Sequence, residues 1–503
     1  WISSTPGITK IPISETLITS DDSATFAADT ANFPAWLTYE QNSRSLLIQS
    51  PINDAESVVV DVLVTTSNGQ AVRDVFLLTV HYHVDWPDPF VVNSYTTSTQ
   101  SLPDVLPLKD GNVLVIWDSW AQDGNDYGIF AKVINPKTQQ TILSEFQIND
   151  YASGNQRFPS VAKLHDGNVI AIYNDGAGHD GDRGGVYAKI FDPTVGPTAN
   201  TEFQVNEHTT SFQFRGRAVV LTNGNIMIYW VSYEQDSSNN GIYAKVISPS
   251  GVTIVSEFQV NTATHNSQTW PRMTALSDGR VAACWSSQHV ISWFQIYAKI
   301  LNPDGTEDMA ETKLTNERNF VQGHCDLQEL SNGSVAVVWE ERTDIYGTIL
   351  SESTPQPVDR RINDSIAGSQ FSPRIERLHD DQLLVSWVSR DENNVSRILG
   401  TIYLPHFLGG PSIGEMPLTL GLGSTDYHAT ADLGDGTCFL AYESNELDSS
   451  WGISGRLIRL RRGGSLSLVN PFEDQSIFVR SSGRAELVLP TETVISWGSE
   501  TFM

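Results

Sequence analysis

Along most of this chain the apolar residues fall in short runs bounded by Gly, Asn, Asp or Pro, and one run recurs with a fixed ending. DGNVLVIW closes at Trp117, DGNVIAIY at Tyr173, NGNIMIYW at Trp230 and DGRVAACW at Trp285. NGSVAVVW at Trp339, DDQLLVSW at Trp387, DGTCFLAY at Tyr442 and TETVISW at Trp497 continue the series, about 48 to 57 residues apart. Other phrases keep the same phase. GIFAK, GVYAK, GIYAK and QIYAK follow the aromatic and fade to GT and GR endings; EFQIN and EFQVN come next. Gln then recurs at 100, 156, 213, 268, 322 and 370, usually three residues before a Pro. Each unit thus offers four β-branched or aromatic runs separated by turn residues, which predicts a four-stranded antiparallel meander. No apolar stripe has the helical period. A four-stranded repeat of this length is the mark of a β-propeller blade.

One such sheet cannot bury both apolar faces alone, whereas blades packed around a ring bury each other's. The recurring Trp or Tyr is then a buried anchor between blades, and the Ala or Gly of the third strand leaves room for it. The Gln, the Trp and the Ala-Lys pair are read as architecture. FVVN, ending at Asn93, matches the fourth strand of a unit, and two strands of a further unit precede Met503. The expectation is therefore an all-β chain with an eight-bladed ring over residues 85–503, its last blade incomplete, with seven blades as the alternative. In this scheme the strand ending at Asn93 pairs in the sheet of the strand ending at Trp497. The incomplete blade and the start at Trp1 suggest a piece of something longer.

Residues 1–84 lack the repeat and alternate as short strands, which predicts a small immunoglobulin- or cadherin-like β-sandwich. Phe33-Pro34-Ala35-Trp36-Leu37-Thr38-Tyr39 and Leu47-Ile48-Gln49-Ser50-Pro51 resemble dystroglycan-type cadherin-like and immunoglobulin-like modules, although the glycine of their turn is missing. VNTATHNSQTWPRMTALSDGRVAACW and INDYASGNQRFPSVAKLHDGNVIAIY are similar to a repeat of large bacterial adhesins, repeat-in-toxin-type proteins and protist surface proteins. That resemblance implies an extracellular or cell-surface setting and no particular chemistry.

Composition narrows the partners. Asp and Glu number 59 against 31 Lys and Arg, a formal charge of -28, so long-range repulsion opposes nucleic acid or anionic lipid as the main partner. No apolar run is long enough for a membrane-spanning helix. Cys284, Cys325 and Cys438 are too few and too scattered for a disulfide framework or zinc site.

The chemical motifs are sparse. There is no Gly-x-Ser-x-Gly elbow, phosphate loop, dinucleotide fingerprint or His-Glu-x-x-His, and the sialidase Ser-x-Asp-x-Gly-x-x-Trp turn is absent. Calcium is the cofactor candidate, because Asp175, Asp180 and Asp182, and in the preceding unit Asp123 and Asp126, gather oxygen ligands beside turn glycines. Asp-Gly pairs also simply make tight turns. His81, His83 and Asp85 alternate toward one strand face but suit an exposed strand end. Arg456, Arg459, Arg461 and Arg462 form the dense basic cluster of an acidic chain, and Leu404, Phe407 and Leu408 sit in an apolar insertion; both are candidate contacts with other copies or chains. Asn332, Asn363 and Asn394 head Asn-x-Ser sequons for glycosylation. With nearly every recurrent residue absorbed by blade architecture, the expectation is a noncatalytic structural or adhesive module of a surface filament, appendage, matrix or large adhesin. It would act by self-association or contact with other chains or glycans, and not as an enzyme. A carbohydrate-active propeller hydrolase or a calcium-dependent glycan-binding receptor is the alternative.

Overall fold

A computed structural model describes residues 87–458 with their side chains, apart from 177, 199–200, 289–292, 316–319, 351–358, 379–380, 404–406, 408–414, 420–424, 426 and 446–450. Outside that span it describes strand backbones. The chain divides into two compact units, Trp86–Arg459 and a second made of Trp1–Asp85 with Leu460–Met503.

Trp86–Arg459 is a β-propeller of seven blades, and no helix occurs among the described residues. Blade one runs Gln100–Pro107, Val113–Trp120, Tyr127–Ile134 and Thr141–Gln147 from the inside outward. Blades two to six begin at Gln156, Gln213, Gln268, Gln322 and Ser369. Blade seven combines His428–Asp432, Thr437–Ser444 and the strand from Gly452 with Phe90–Val91, which pairs back onto Ser454 and Gly455. The eight-bladed expectation is therefore corrected to seven. The first strand does close the ring, but against the strand from Gly452. The reason lies past Ile458, where the repeat stops: the segment from Leu460 belongs to the other unit, and Ser465–Leu468 pairs Thr493–Ser496 there. Trp497 itself lies outside the described residues.

Second strands such as Val169–Asp175 are buried along their whole length, because both faces meet a neighbouring blade. Trp117, Trp230, Trp285, Trp339 and Trp387 are 0% exposed, as the repeat register requires. Trp230 packs with Ala188, Trp285 with Ala244 and Trp339 with Ala298, each alanine on the preceding blade. At Gly347 a Cβ would stand 3.0 Å from Phe407 and from Ile362, so the small residue makes room for neighbouring side chains. The hairpin between first and second strands needs a left-handed residue, supplied by Gly111, Gly167, Gly224, Gly279 and Gly333 at φ of 79–99°.

Polar contacts tie the blades together. Asn149 accepts the Ile129 N–H at 2.8 Å and donates to Gln156 on the next blade at 3.2 Å. Asn206–Gln213 and Asn261–Gln268 repeat the arrangement. Lys132, Lys189, Lys245 and Lys299, of the Ala-Lys phrases, are buried and donate to carbonyls of Val92, Ile148, Val205 and Val260 on the preceding blade. Pairing these ammonium groups with otherwise bare backbone oxygens lowers the cost of burying both.

The N-terminal unit contains one sheet ordered Ser4–Thr5, Ile8–Pro12, Ser45–Gln49, Leu37–Glu40. Separately, Thr25–Ala28 pairs Ser57–Thr65, which pairs Ala71–Asp85. The expected packing of these strands as a sandwich, and the side chains of His81, His83 and Asp85, lie outside the described residues.

Candidate active site

Near one mouth of the ring the inner strands of blades one to six bulge. Leu102, Phe158, Arg215, Trp270, His324 and Ser372, from blades one to six, adopt φ of 43–58°. The ladder to the second strand slips beside each of them. A non-glycine residue held there costs roughly 1–3 kcal/mol and needs support from its surroundings. The preceding blade supplies that support through the residue after the repeated aromatic. Asn174 accepts the Arg215 N–H at 2.8 Å, Glu340 the Ser372 N–H at 3.0 Å and Glu443 the Leu102 N–H at 3.3 Å. Asp118 accepts the Phe158 N–H. Bulges turn side chains away from their regular direction, and here they line an open funnel together with Tyr427.

Two residues deeper lie Asp104, Arg217, Arg272, Asp326 and Arg374. Arg217 Nη1 is 3.8 Å from Asp104, and Arg272 Nε is 3.6 Å from Asp326. Both acids also accept backbone N–H groups, from Val161 and Ile375. Burial, then the neighbouring Arg272, pushes Arg374 down to about 9. Burial also pushes Arg215 down to about 10, with Tyr427 opposing and Arg272 and Arg217 reinforcing. Arg215 and Arg374 remain cationic at neutral pH, and the repulsion among the neighbouring arginines favours a bound anion. This local field contrasts with the net charge of -28.

His324, 35% exposed at its side chain, lies with Nδ1 2.6 Å from Glu340 Oε1. Burial acts to raise the Glu340 carboxyl, but the His324 hydrogen bond and charge and the Ser372 N–H outweigh it and hold the group below its ordinary value. In the tautomer that donates from Nδ1 to Glu340, the lone pair of the ring is on Nε2. Trp270 packs against the imidazole, ring centroids 4.5 Å apart. Tyr427 is 43% exposed at the same mouth.

The residues singled out from sequence lie elsewhere. Asp175 is buried and accepts from Gln156 at 3.2 Å; Asp182 accepts the Ser211 N–H at 2.6 Å; Asp180 packs against Gly185. Asp123 accepts from Asn125 N–H and Gln147, a hairpin contact that Asp236 and Gln259 repeat in blade three. Among the described residues no three His, Cys, Asp or Glu side chains converge as metal ligands. Arg456 is 1% exposed and donates to the carbonyls of Pro87 and Leu418. It takes the place of the Ala-Lys lysines and is no docking residue. Phe407, 1% exposed, is core. The side chains of Leu404, Leu408, Arg459, Arg461 and Arg462 lie outside the described residues. Asn332 and Asn394 are exposed, whereas Asn363 is buried with its amide nitrogen donating to Asp344 and to the Ser365 carbonyl. It presents no acceptor for a glycan.

The funnel residues escaped sequence reasoning although a signal was present. Two positions after each Gln, the otherwise regular phrase varies freely through Leu, Phe, Arg, Trp, His and Ser. Architecture accounts for the constant positions and not for that one.

No known family model and no curated protein matches the sequence. Solved structures share its fold. An ulvan lyase of a polysaccharide lyase family, bound to -[GlcA(1-4)Rha3S]-, aligns with a TM-score of 0.53 at 9% identity over 74% of this chain and 96% of that one. The polysaccharide lyase Uly1 aligns at 0.48, with 10% identity over 74% and 91% of the two chains. An α-L-arabinofuranosidase from Fusarium graminearum aligns at 0.47, with 10% identity over 63% and 98%. These likenesses do not show the dystroglycan-type, cadherin-like, immunoglobulin-like or adhesin families that the sequence resembles. The expectation of a noncatalytic structural or adhesive module, and with it of no enzyme, is corrected by the likeness to the ulvan lyase propeller, beside which the sequence's alternative of a carbohydrate-active propeller hydrolase is the better supported. Among the described residues no helix is long and apolar enough to cross a membrane.

Proposed function

We propose that this chain is a carbohydrate-active enzyme that cleaves an anionic polysaccharide, by elimination at a uronate unit held in the funnel. The observation that carries the reading is the convergence of a Glu340-oriented His324, Tyr427 and a group of arginines at one mouth. A proton next to a carboxylate leaves readily only when that carboxylate is neutralised, and Arg215 and Arg272 are the groups for it. His324 Nε2 then takes the C5 proton. The electron pair forms the C4–C5 double bond and the C4–O bond breaks. The departing oxygen takes a proton from Tyr427, so the step balances without cofactor or water. Most glycoside hydrolases instead use two free carboxyl groups flanking the bond, and here Asp104 and Asp326 are engaged by arginines and backbone N–H groups. Ulvan lyase uses the same fold, which agrees with the reading by analogy of architecture only. A polymeric substrate agrees with an extracellular setting.

Incubation with uronate polymers tests the reaction. New short-wavelength ultraviolet absorbance from the conjugated double bond, matched by new reducing ends and lost in His324→Ala, is the expected result. Reducing ends without that absorbance would make the enzyme a hydrolase.

A further inference from the structure

We propose that the polymer is held beyond the funnel along a ladder of alternating aromatic and arginine side chains on blades one to four. This rests on the substrate class proposed above and extends it to units remote from the cleaved bond. The ladder starts at Trp120, 39% exposed at the end of a second strand, whose ring meets Tyr127 edge-on at 4.9 Å. The Arg157 guanidinium lies 3.9 Å above the Tyr127 ring and 5.4 Å from Phe158. Arg215 follows, 5.4 Å from Phe158 and 5.8 Å from Trp270. Trp270 then leads to His324.

Each rung is fixed from beneath. Arg157 Nε donates to the fully buried Asp118 carboxylate at 3.0 Å, and Ser101 donates to the same group. Phe158, Arg215 and Trp270 sit on the bulges. Among the described residues Arg215 has no carboxylate within ion-pair distance; its neighbours are aromatic faces and other cations. A cation left without an acid in a chain of charge -28 leaves its carboxylate partner to be supplied from outside. Flat rings suit the C–H faces of pyranoses, and guanidinium groups suit carboxylate or sulfate. Their alternation matches a polymer in which sugar faces and anionic groups alternate. Charge complementarity thus favours a polyanionic glycan over a neutral one. A ladder reaching several side chains from His324 also suits attack within chains.

Titration calorimetry at low ionic strength, with polygalacturonate and with its trimer, tests the ladder. Trp120→Ala is the informative variant, because Trp120 lies outside the reacting group of residues. About a tenfold loss of polymer affinity is expected, with trimer affinity unchanged and with Trp120→Tyr restoring binding. No polymer binding by the unaltered protein, or equal effects of Trp120→Ala on polymer and trimer, would overturn the proposal. Polymer binding that depends on Trp120 without any elimination product would support the ladder while sinking the reaction proposed above.

Discussion

His324 Nδ1 lies 2.6 Å from one oxygen of Glu340, while the other oxygen of that carboxylate accepts the Ser372 N–H at 3.0 Å. One acid on blade five therefore orients the imidazole on its own blade and secures the bulge of blade six. Glu340→Gln retains the size but loses the charge, and its amide cannot accept on both sides. Turnover of a uronate polymer should fall about 10- to 100-fold with KM nearly unchanged, as for other orienting partners. An unchanged kcat would show that the pair does not support the reaction.

Deeper in the channel, Glu376 and His428 should give opposite pH dependences of stability. Burial raises Glu376 to about 8, helped by Asp326, Asp432 and Asp104 and opposed by the Asp432 N–H. Between its ordinary 4.5 and that value the folded state holds the extra proton, so stability falls as pH rises through the window. Burial and Arg374 lower His428 to about 3. The unfolded state then binds the extra proton below 6.5, and stability falls as pH drops from there. Thermal melts of Glu376→Gln should lose the decline between pH 5 and 8 while keeping the acid-side loss. A decline unchanged in the variant would assign it to other groups.

Ring closure rests on Asn93, which accepts the Ile453 N–H at 2.7 Å and donates to Gln100 at 3.1 Å. Asn93→Ala strips a buried donor and a buried acceptor of their partner, a loss of about 1–3 kcal/mol each where water cannot enter. The same change at Asn149, inside the ring, breaks an equivalent pair without touching the seam between first and last blades. Hydrogen exchange should show Asn93→Ala exposing blades one and seven together and Asn149→Ala loosening blades one and two. Identical exchange patterns would mean that the seam is not a distinct weak point.

The repeat made the propeller legible because burial on both faces imposes the same residues at the same phase, and Trp230, Trp285 and Trp339 stand where that logic puts them. Blade number was less accessible. TETVISW satisfies the local pattern of a second strand, yet a pattern of this kind reports local strand formation and not the sheet that receives it. Acid-rich hairpins read alike as calcium loops and as turns, because Asp and Gly serve both; Asp123 and Asp236 make the hairpin contacts of a turn. The site lay unread because its residues are united only by closure of the ring. Arg215, Trp270 and His324 are separated by more than fifty positions each, and one strained backbone feature aims them at the same space.

The exposed sequons supply a direct check on the loops. Expressed in a glycosylating host, the chain should carry glycans at Asn332 or Asn394 and none at Asn363, as read by mass spectrometry. Asn363 Oδ1 accepts the Ile345 N–H at 2.7 Å and its nitrogen donates twice, so a glycan there would replace one donating hydrogen at a buried nitrogen. Full occupancy at Asn363 in folded protein would contradict the blade-five geometry.

Arg456 distinguishes surface from core most sharply. In the sequence it opens a basic run that suggests an acidic partner; in the fold its Nε reaches the Pro87 carbonyl at 3.0 Å and its Nη1 the Leu418 carbonyl at 3.2 Å. Lys132, Lys189, Lys245 and Lys299 play the corresponding part in blades one to four, so the arginine joins blade seven to the end of blade six and to the segment that enters the ring. Arg456→Met would fill much of the space but leave both carbonyls without that donor. The loss should be about 2–5 kcal/mol, read as a lower midpoint in denaturant with nearly the same slope. Arg456→Lys should recover only part of it, since one ammonium cannot span both oxygens as the guanidinium fork does. If Arg456→Met instead left stability intact and changed only the association of copies in sedimentation, the arginine would be a surface contact after all.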